Sequence, residues 1–201
     1  MDRAELLRRI KNKGMTFEKF NDLADTKIRE TDESKLDNEA KRKFGFTQLN
    51  QRRTYRILKT YKVNEKIEKA ISKIIQTQTW MILTEDWCGD SAQNLPYIYK
   101  YSELNDNIEL KILNRESNLD IMDKYLTNGV RAIPMFIAFD ENGNELFEWG
   151  PRPEEAKELV AKWKAEGDTK DQFNEKLHLW YGRNRGKDFE KEFLRLLDRE
   201  A

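Results

Sequence analysis

The stretch Trp87-Cys88-Gly89-Asp90-Ser91 points most directly to chemistry, because it holds the chain's single cysteine. One cysteine excludes an internal disulfide and a zinc site built on several thiolates, so any thiol chemistry rests on Cys88 alone. The pentapeptide follows the apolar run Trp80-Met81-Ile82-Leu83 and precedes a helical pattern. A cysteine at a helix start faces free backbone amides and the positive end of the helix dipole, which favour the thiolate, whereas Asp90 opposes it. The balance predicts a modestly lowered thiol pKa. The competing reading is a partly buried, inert cysteine.

Further along, Arg131-Ala132-Ile133-Pro134 leads into an apolar run. A cis Ile133-Pro134 bond would turn the chain so that backbone groups lie beside Cys88. Asp86 and Asp90, with no histidine nearby, read as solvated helix caps and point to no metal. His178 sits among Leu177, Leu179, Trp180 and Tyr181 and reads as a packing residue.

These residues need a frame, and the hydrophobic spacing supplies one. Thr79 to Thr84 reads as a central strand covered on both faces, and Ile108 to Leu113 as a second strand. Between them Ala92, Leu95, Ile98 and Tyr99 fit a helix reaching about Leu104, kinked at Pro96. Ser117 should cap a short helix with Ile121, Met122, Tyr125 and Leu126 inward, ending at Asn128-Gly129. Met135 to Phe139 and Glu145 to Trp149 form an antiparallel hairpin around Asn142-Gly143. A helix from Asn64 carries Ile67, Ala70, Ile71, Ile74 and Ile75. Helices follow from Pro153 to about Glu166, after a capping box at Thr169-Gln172, and around Phe189, Phe193 and Leu197. The fold class is α/β, a mixed sheet with helices on both faces.

The amino-terminal part reads as helical, with Thr16 as a cap and a loop over 30–45. Residues 22–39 carry seven acids and three bases, whereas 41–62 carry eight bases and no acid. That basic stretch, with Phe44, Phe46, Tyr55 and Tyr61, could meet a polyanion, but a solvated helix face or a partner for the preceding acids is the favoured reading. With 37 basic and 37 acidic residues the net charge is zero, which gives no global argument for nucleic acid or membrane. The first residues hold no apolar run of leader or spanning length, so a cytoplasmic location is expected.

Trp-Cys-Gly-Asp-Ser, followed by strand, helix, Ile-Pro and hairpin, resembles the thioredoxin superfamily, whose motif is Trp-Cys-Gly-Pro-Cys. It is most similar to bacterial thioredoxin-like proteins with an Asp at that motif's fourth position, extending to Phe147-Glu148-Trp149-Gly150-Pro151-Arg152-Pro153 and Leu177-His178-Leu179-Trp180-Tyr181. The resemblance implies a thioredoxin-like core over 64–166, with helical extensions over 1–63 and 167–201. It makes Cys88 the attacking thiol, Pro134 the cis proline, and Trp87, Ile133 and Pro134 the client-binding surface. Ser91 stands where the resolving cysteine belongs, and is expected to donate to the sulfur. Asp90 replaces the motif proline, and Ile82 occupies the place of the buried acid. A lone thiol stops at a mixed disulfide until an external thiol resolves it. The expected activity is therefore monothiol exchange with a client thiol or with glutathione as co-substrate, without a bound cofactor. The alternative is a client-binding adaptor in which no electron moves.

Overall fold

The computed structural model describes residues 1–198. Four strands form one sheet in the order β2-β1-β3-β4. They are β1 (Gln78–Thr84), β2 (Ile108–Asn114), β3 (Met135–Phe139) and β4 (Glu145–Trp149). β1 runs parallel to β2 and antiparallel to β3, and β3 and β4 form the expected hairpin. Every residue of β1 is buried, as a continuous apolar run at a sheet centre requires.

Successive strand residues point to opposite faces, so each strand feeds two cores. Trp80, Ile82, Phe136 and Ala138 face a layer built from α2 (Phe17–Glu30), α3 (Asn38–Thr60), α4 (Glu65–Ile71), α5 (Gly89–Ser102) and the carboxy-terminal helix. Met81, Leu83, Met135 and Ile137 face α1 (Arg3–Lys13) and the short α6 (Leu119–Met122). The mixed sheet covered on both faces is thus present. Two further helices, α7 (Glu154–Ala165) and α8 (Lys170–Asn184), pack together through Ala156, Val160, Leu177 and Tyr181. The last helix, α9 (Lys187–Leu197), drives Phe193 among Trp80, Tyr101, Phe136 and Phe147. Residues from Phe17 to Leu197 therefore share one core.

Several boundaries differ from the sequence reading. The loop expected over 30–45 gives way at Asn38 to α3, because Asp37 accepts from the Ala40 amide at 2.8 Å and caps it. Its buried stripe runs through Phe44, Thr47, Gln51, Thr54 and Ile57, and polar members concealed that period. α4 stops at Ile71 because Asn105 and Asn107 take the carbonyls that follow, and Ile75 is left 83% exposed. α6 begins after Asn118 and ends at Met122, so Ser117 is not its cap. Asn128 and Gly129, both at positive φ, form a tight turn closed by Thr127 and Val130 rather than a helix end. The Thr169-Gln172 capping box is present.

Candidate functional site

The turn Glu85–Trp87 carries the chain from β1 to α5, and neighbouring elements hold it. Buried Glu85 accepts from the Glu116 amide at 2.8 Å and from Asn114 Nδ2 at 3.2 Å, with burial pushing its pKa up. Asp86 accepts from Lys27 Nζ at 2.7 Å and Thr47 Oγ1 at 3.2 Å, and Asn50 donates to its carbonyl. The polar stripe of α3 thus fixes the approach to Cys88.

Cys88 is the first residue flanking α5 and is only 7% exposed. Its Sγ–H donates to the Ile133 carbonyl at 3.3 Å. The expected lowering of its pKa is overturned, because burial, and then the charge of Asp90, push it up to about 11. The Ser91 side chain and the Asp90 and Ser91 amides pull the other way and lose. The amides at the start of α5 do favour the thiolate, but burial outweighs them. Ser91 is buried in α5; its hydroxyl pairs with that of Thr84 and also lowers the thiol pKa by hydrogen bonding, the role expected of it.

The Ile133-Pro134 bond is cis and brings Ile133 against Cys88. Gly150 approaches so closely that a Cβ there would collide with the Pro134 carbonyl, and its φ of 148° suits glycine. Trp87 is half-buried, its ring between Lys43 at 5.7 Å and Arg115 at 5.2 Å. Ile82 is fully buried in the sheet, an apolar residue below the site.

Asp90 is buried, not a solvated cap. Arg152 donates to one carboxylate oxygen at 2.6 Å and the Tyr181 hydroxyl to the other at 2.7 Å. Asn94 also donates to that hydroxyl. Burial raises the Asp90 pKa despite Arg152. His178 packs beside the site: its ring lies so close to Gly89 that a Cβ there would meet it at 2.7 Å. Burial, with Arg53 and Arg152 nearby, lowers its pKa to about 3, so the ring is neutral and Nε2 accepts from Arg53 at 3.1 Å. Arg53, Arg152 and Tyr181 were not identified from sequence as part of this site. Arg152 and Tyr181 nevertheless lie in the two flanking segments that resemble the bacterial proteins.

Cys88, Trp87, Gly89, Ile133 and His178 share a cavity of about 470 Å³. Cys88, though buried, therefore lines open space.

Strand order, cis proline and a cysteine flanking the helix after the central strand describe a thioredoxin-like protein. The chain matches the family described as Thioredoxin over residues 38–164, more than half its length, and it belongs to that family. Among solved structures it is similar to an HIV epitope-scaffold, with TM-score 0.55, 20% identity, and coverage of 78% of this chain and 92% of the other. It is also similar to a protein of unknown function from Pseudomonas aeruginosa, with TM-score 0.52, 19% identity, and 94% of each chain covered. No match is found among curated proteins. At these identities the two structures speak for the fold. Among the described residues no helix is long and apolar enough to cross a membrane.

Proposed function

We propose that this protein works as a client-binding module, holding an extended partner in the groove beside Cys88 and Pro134 without transferring electrons. The observation that carries this reading is the burial of Cys88, 7% exposed with its Sγ–H on the Ile133 carbonyl at 3.3 Å, which pushes the thiol pKa up. With a pKa of about 11, only about one sulfur in ten thousand is a thiolate at pH 7, and the thiolate is the nucleophile. No second cysteine exists to resolve a mixed disulfide. What supports holding is the backbone beside the sulfur: the Ile133 N–H has no hydrogen-bond partner among the described residues, which leaves it for strand-like pairing with a client.

Monothiol exchange with glutathione or a client thiol is the second reading, favoured by the cavity that Cys88 lines. In it the Cys88 thiolate would attack a disulfide, forming one S–S bond and releasing one thiolate. Incubation with oxidised glutathione at pH 7.5 and intact-mass analysis decides between them. The binding-module reading expects the unmodified mass after hours; an adduct on Cys88, removed by reduced glutathione, would overturn it in favour of exchange.

A further inference from the structure

The stripe Arg42, Phe46, Leu49, Arg53 and Arg56 follows one face of α3 at alternating spacings of four and three. Across from it stand Lys170, Asn174, His178 and Leu179 of α8 or its first turn. Between the helices a second cavity of about 630 Å³ adjoins the one at Cys88 and shares Phe46, Arg53, Asn174 and His178 with it. The two make one groove, starting at Cys88 and Ile133 and ending near Arg56.

The groove's charge is one-sided where it is not already paired. Arg42 holds Asp171 at 2.7 Å, Lys43 holds Glu39 at 3.1 Å and Arg152 holds Asp90 at 2.6 Å. Glu175 is the remaining carboxylate of the lining. Against it stand Arg52, Arg53, Arg56 and Lys170, none in an ion pair among the described residues. Arg53 is half-buried, donating to Asn50 Oδ1 at 2.9 Å and to the neutral His178 ring. Burial and the neighbouring Arg56 lower its pKa to about 10, the charge of Asp90 offsetting them only in part, and no carboxylate among the described residues forms an ion pair with it. The walls are also apolar: Leu49 and Leu179 are 41% and 55% exposed beside Phe46.

We propose that this groove takes an acidic peptide segment with interleaved apolar side chains, its carboxylates meeting Arg53, Arg56 and Lys170 and its apolar groups resting on Phe46, Leu49 and Leu179. The inference rests on the binding-module reading and names the class of client. From Arg42 to Arg56 the helix rises about 21 Å, which an extended strand covers in roughly six residues. Such a segment continues the strand that pairs at Ile133.

The test is fluorescence anisotropy with a rhodamine-labelled hexapeptide alternating glutamate with leucine and phenylalanine, against a counterpart with lysine for glutamate. At low salt the acidic peptide is expected to bind at least tenfold tighter, and the preference should shrink as salt rises. Arg53→Gln with Arg56→Gln should weaken it at least tenfold. Because Arg53 is half-buried, Arg52→Gln with Arg56→Gln, both on exposed residues, serves as a second variant and should cost at least threefold with an unchanged far-UV spectrum. Equal binding of the two peptides, or unchanged affinity in the exposed variant, overturns the proposal. So does a ten-residue oligothymidine that binds more tightly than the peptide and is lost in the same variants. A glutathione adduct together with acidic-peptide binding would defeat only the electron-free reading. An inert Cys88 with no peptide preference would defeat only the groove assignment.

Discussion

Asp90→Asn tests whether one carboxylate holds Cys88 in its thiol form. Asp90 lies two residues after the sulfur, and its charge is the second cause, after burial, of the thiol pKa near 11. If the thiolate and carboxylate were about 6 Å apart, at an effective dielectric of about 20 they would interact by about 3 kcal/mol, equivalent to about two pKa units. Asn keeps the shape and removes the charge, so the midpoint should fall from about 11 toward roughly 9, and Arg152, freed of its partner, acts in the same direction. The change also has a cost in stability. Breaking a buried pair costs roughly 3–5 kcal/mol, and a value at the low end is expected here because the Arg152 side chain is 21% exposed. The assay is the iodoacetamide alkylation rate of native protein from pH 7 to 11, followed by intact mass. Arg152→Gln is the control: it breaks the same pair and destabilises, but it leaves the negative charge beside the sulfur, so its midpoint should not fall. If both variants lower the midpoint, unfolding rather than electrostatics exposes the thiol. If Asp90→Asn leaves the midpoint within half a unit of the parent, the assignment of the shift to Asp90 is wrong.

Three further outcomes follow from the same geometry. A folded thiol pKa raised from 9.0 to about 11 contributes stability that is present below pH 9 and lost as pH rises through 11, roughly 2 to 3 kcal/mol. Denaturant melts of Cys88→Ala should therefore lose less stability across that window than the parent; parallel curves would refute the shift. His178 has its folded pKa lowered to about 3, so its contribution is present above pH 6.5 and lost as pH falls toward 3. His178→Gln should flatten the pH dependence over that window, and an unchanged profile would show the ring to be solvated. Gly89→Ala would place a methyl group 2.7 Å from the His178 ring and should destabilise by roughly 1–3 kcal/mol. Most of that loss should vanish in a His178→Ala background, and simple additivity of the two variants would mean that the ring is not the obstacle.

The sequence determined the sheet by itself, because Trp80 to Leu83, Ile108 to Leu113 and the Asn142-Gly143 hairpin are set by local periodicity and turn chemistry. It also brought Cys88 and Pro134 into view, since both sit where a strand meets a turn. α3 was legible only in part: burying Thr47 and Gln51 needs acceptors from elsewhere, on Asp86, Asn21 and Asp25, and these are partners that helical spacing does not reveal. Ile74 and Ile75 kept a helical period, yet two asparagines from beyond β1 satisfy the carbonyls that end the helix. The state of Cys88 was decided in three dimensions alone. Its neighbours in sequence, the α5 amides and Asp90, were visible, but the raised pKa comes first from burial, to which α1, α6 and Ile133 contribute. The same holds for Asp90, which looked like a solvated cap until Arg152 and Tyr181, 62 and 91 residues away, closed over it. Local spacing fixes which elements form; desolvation depends on what the rest of the chain packs against them, and here it raises the pKa of a thiol whose neighbours in α5 would lower it.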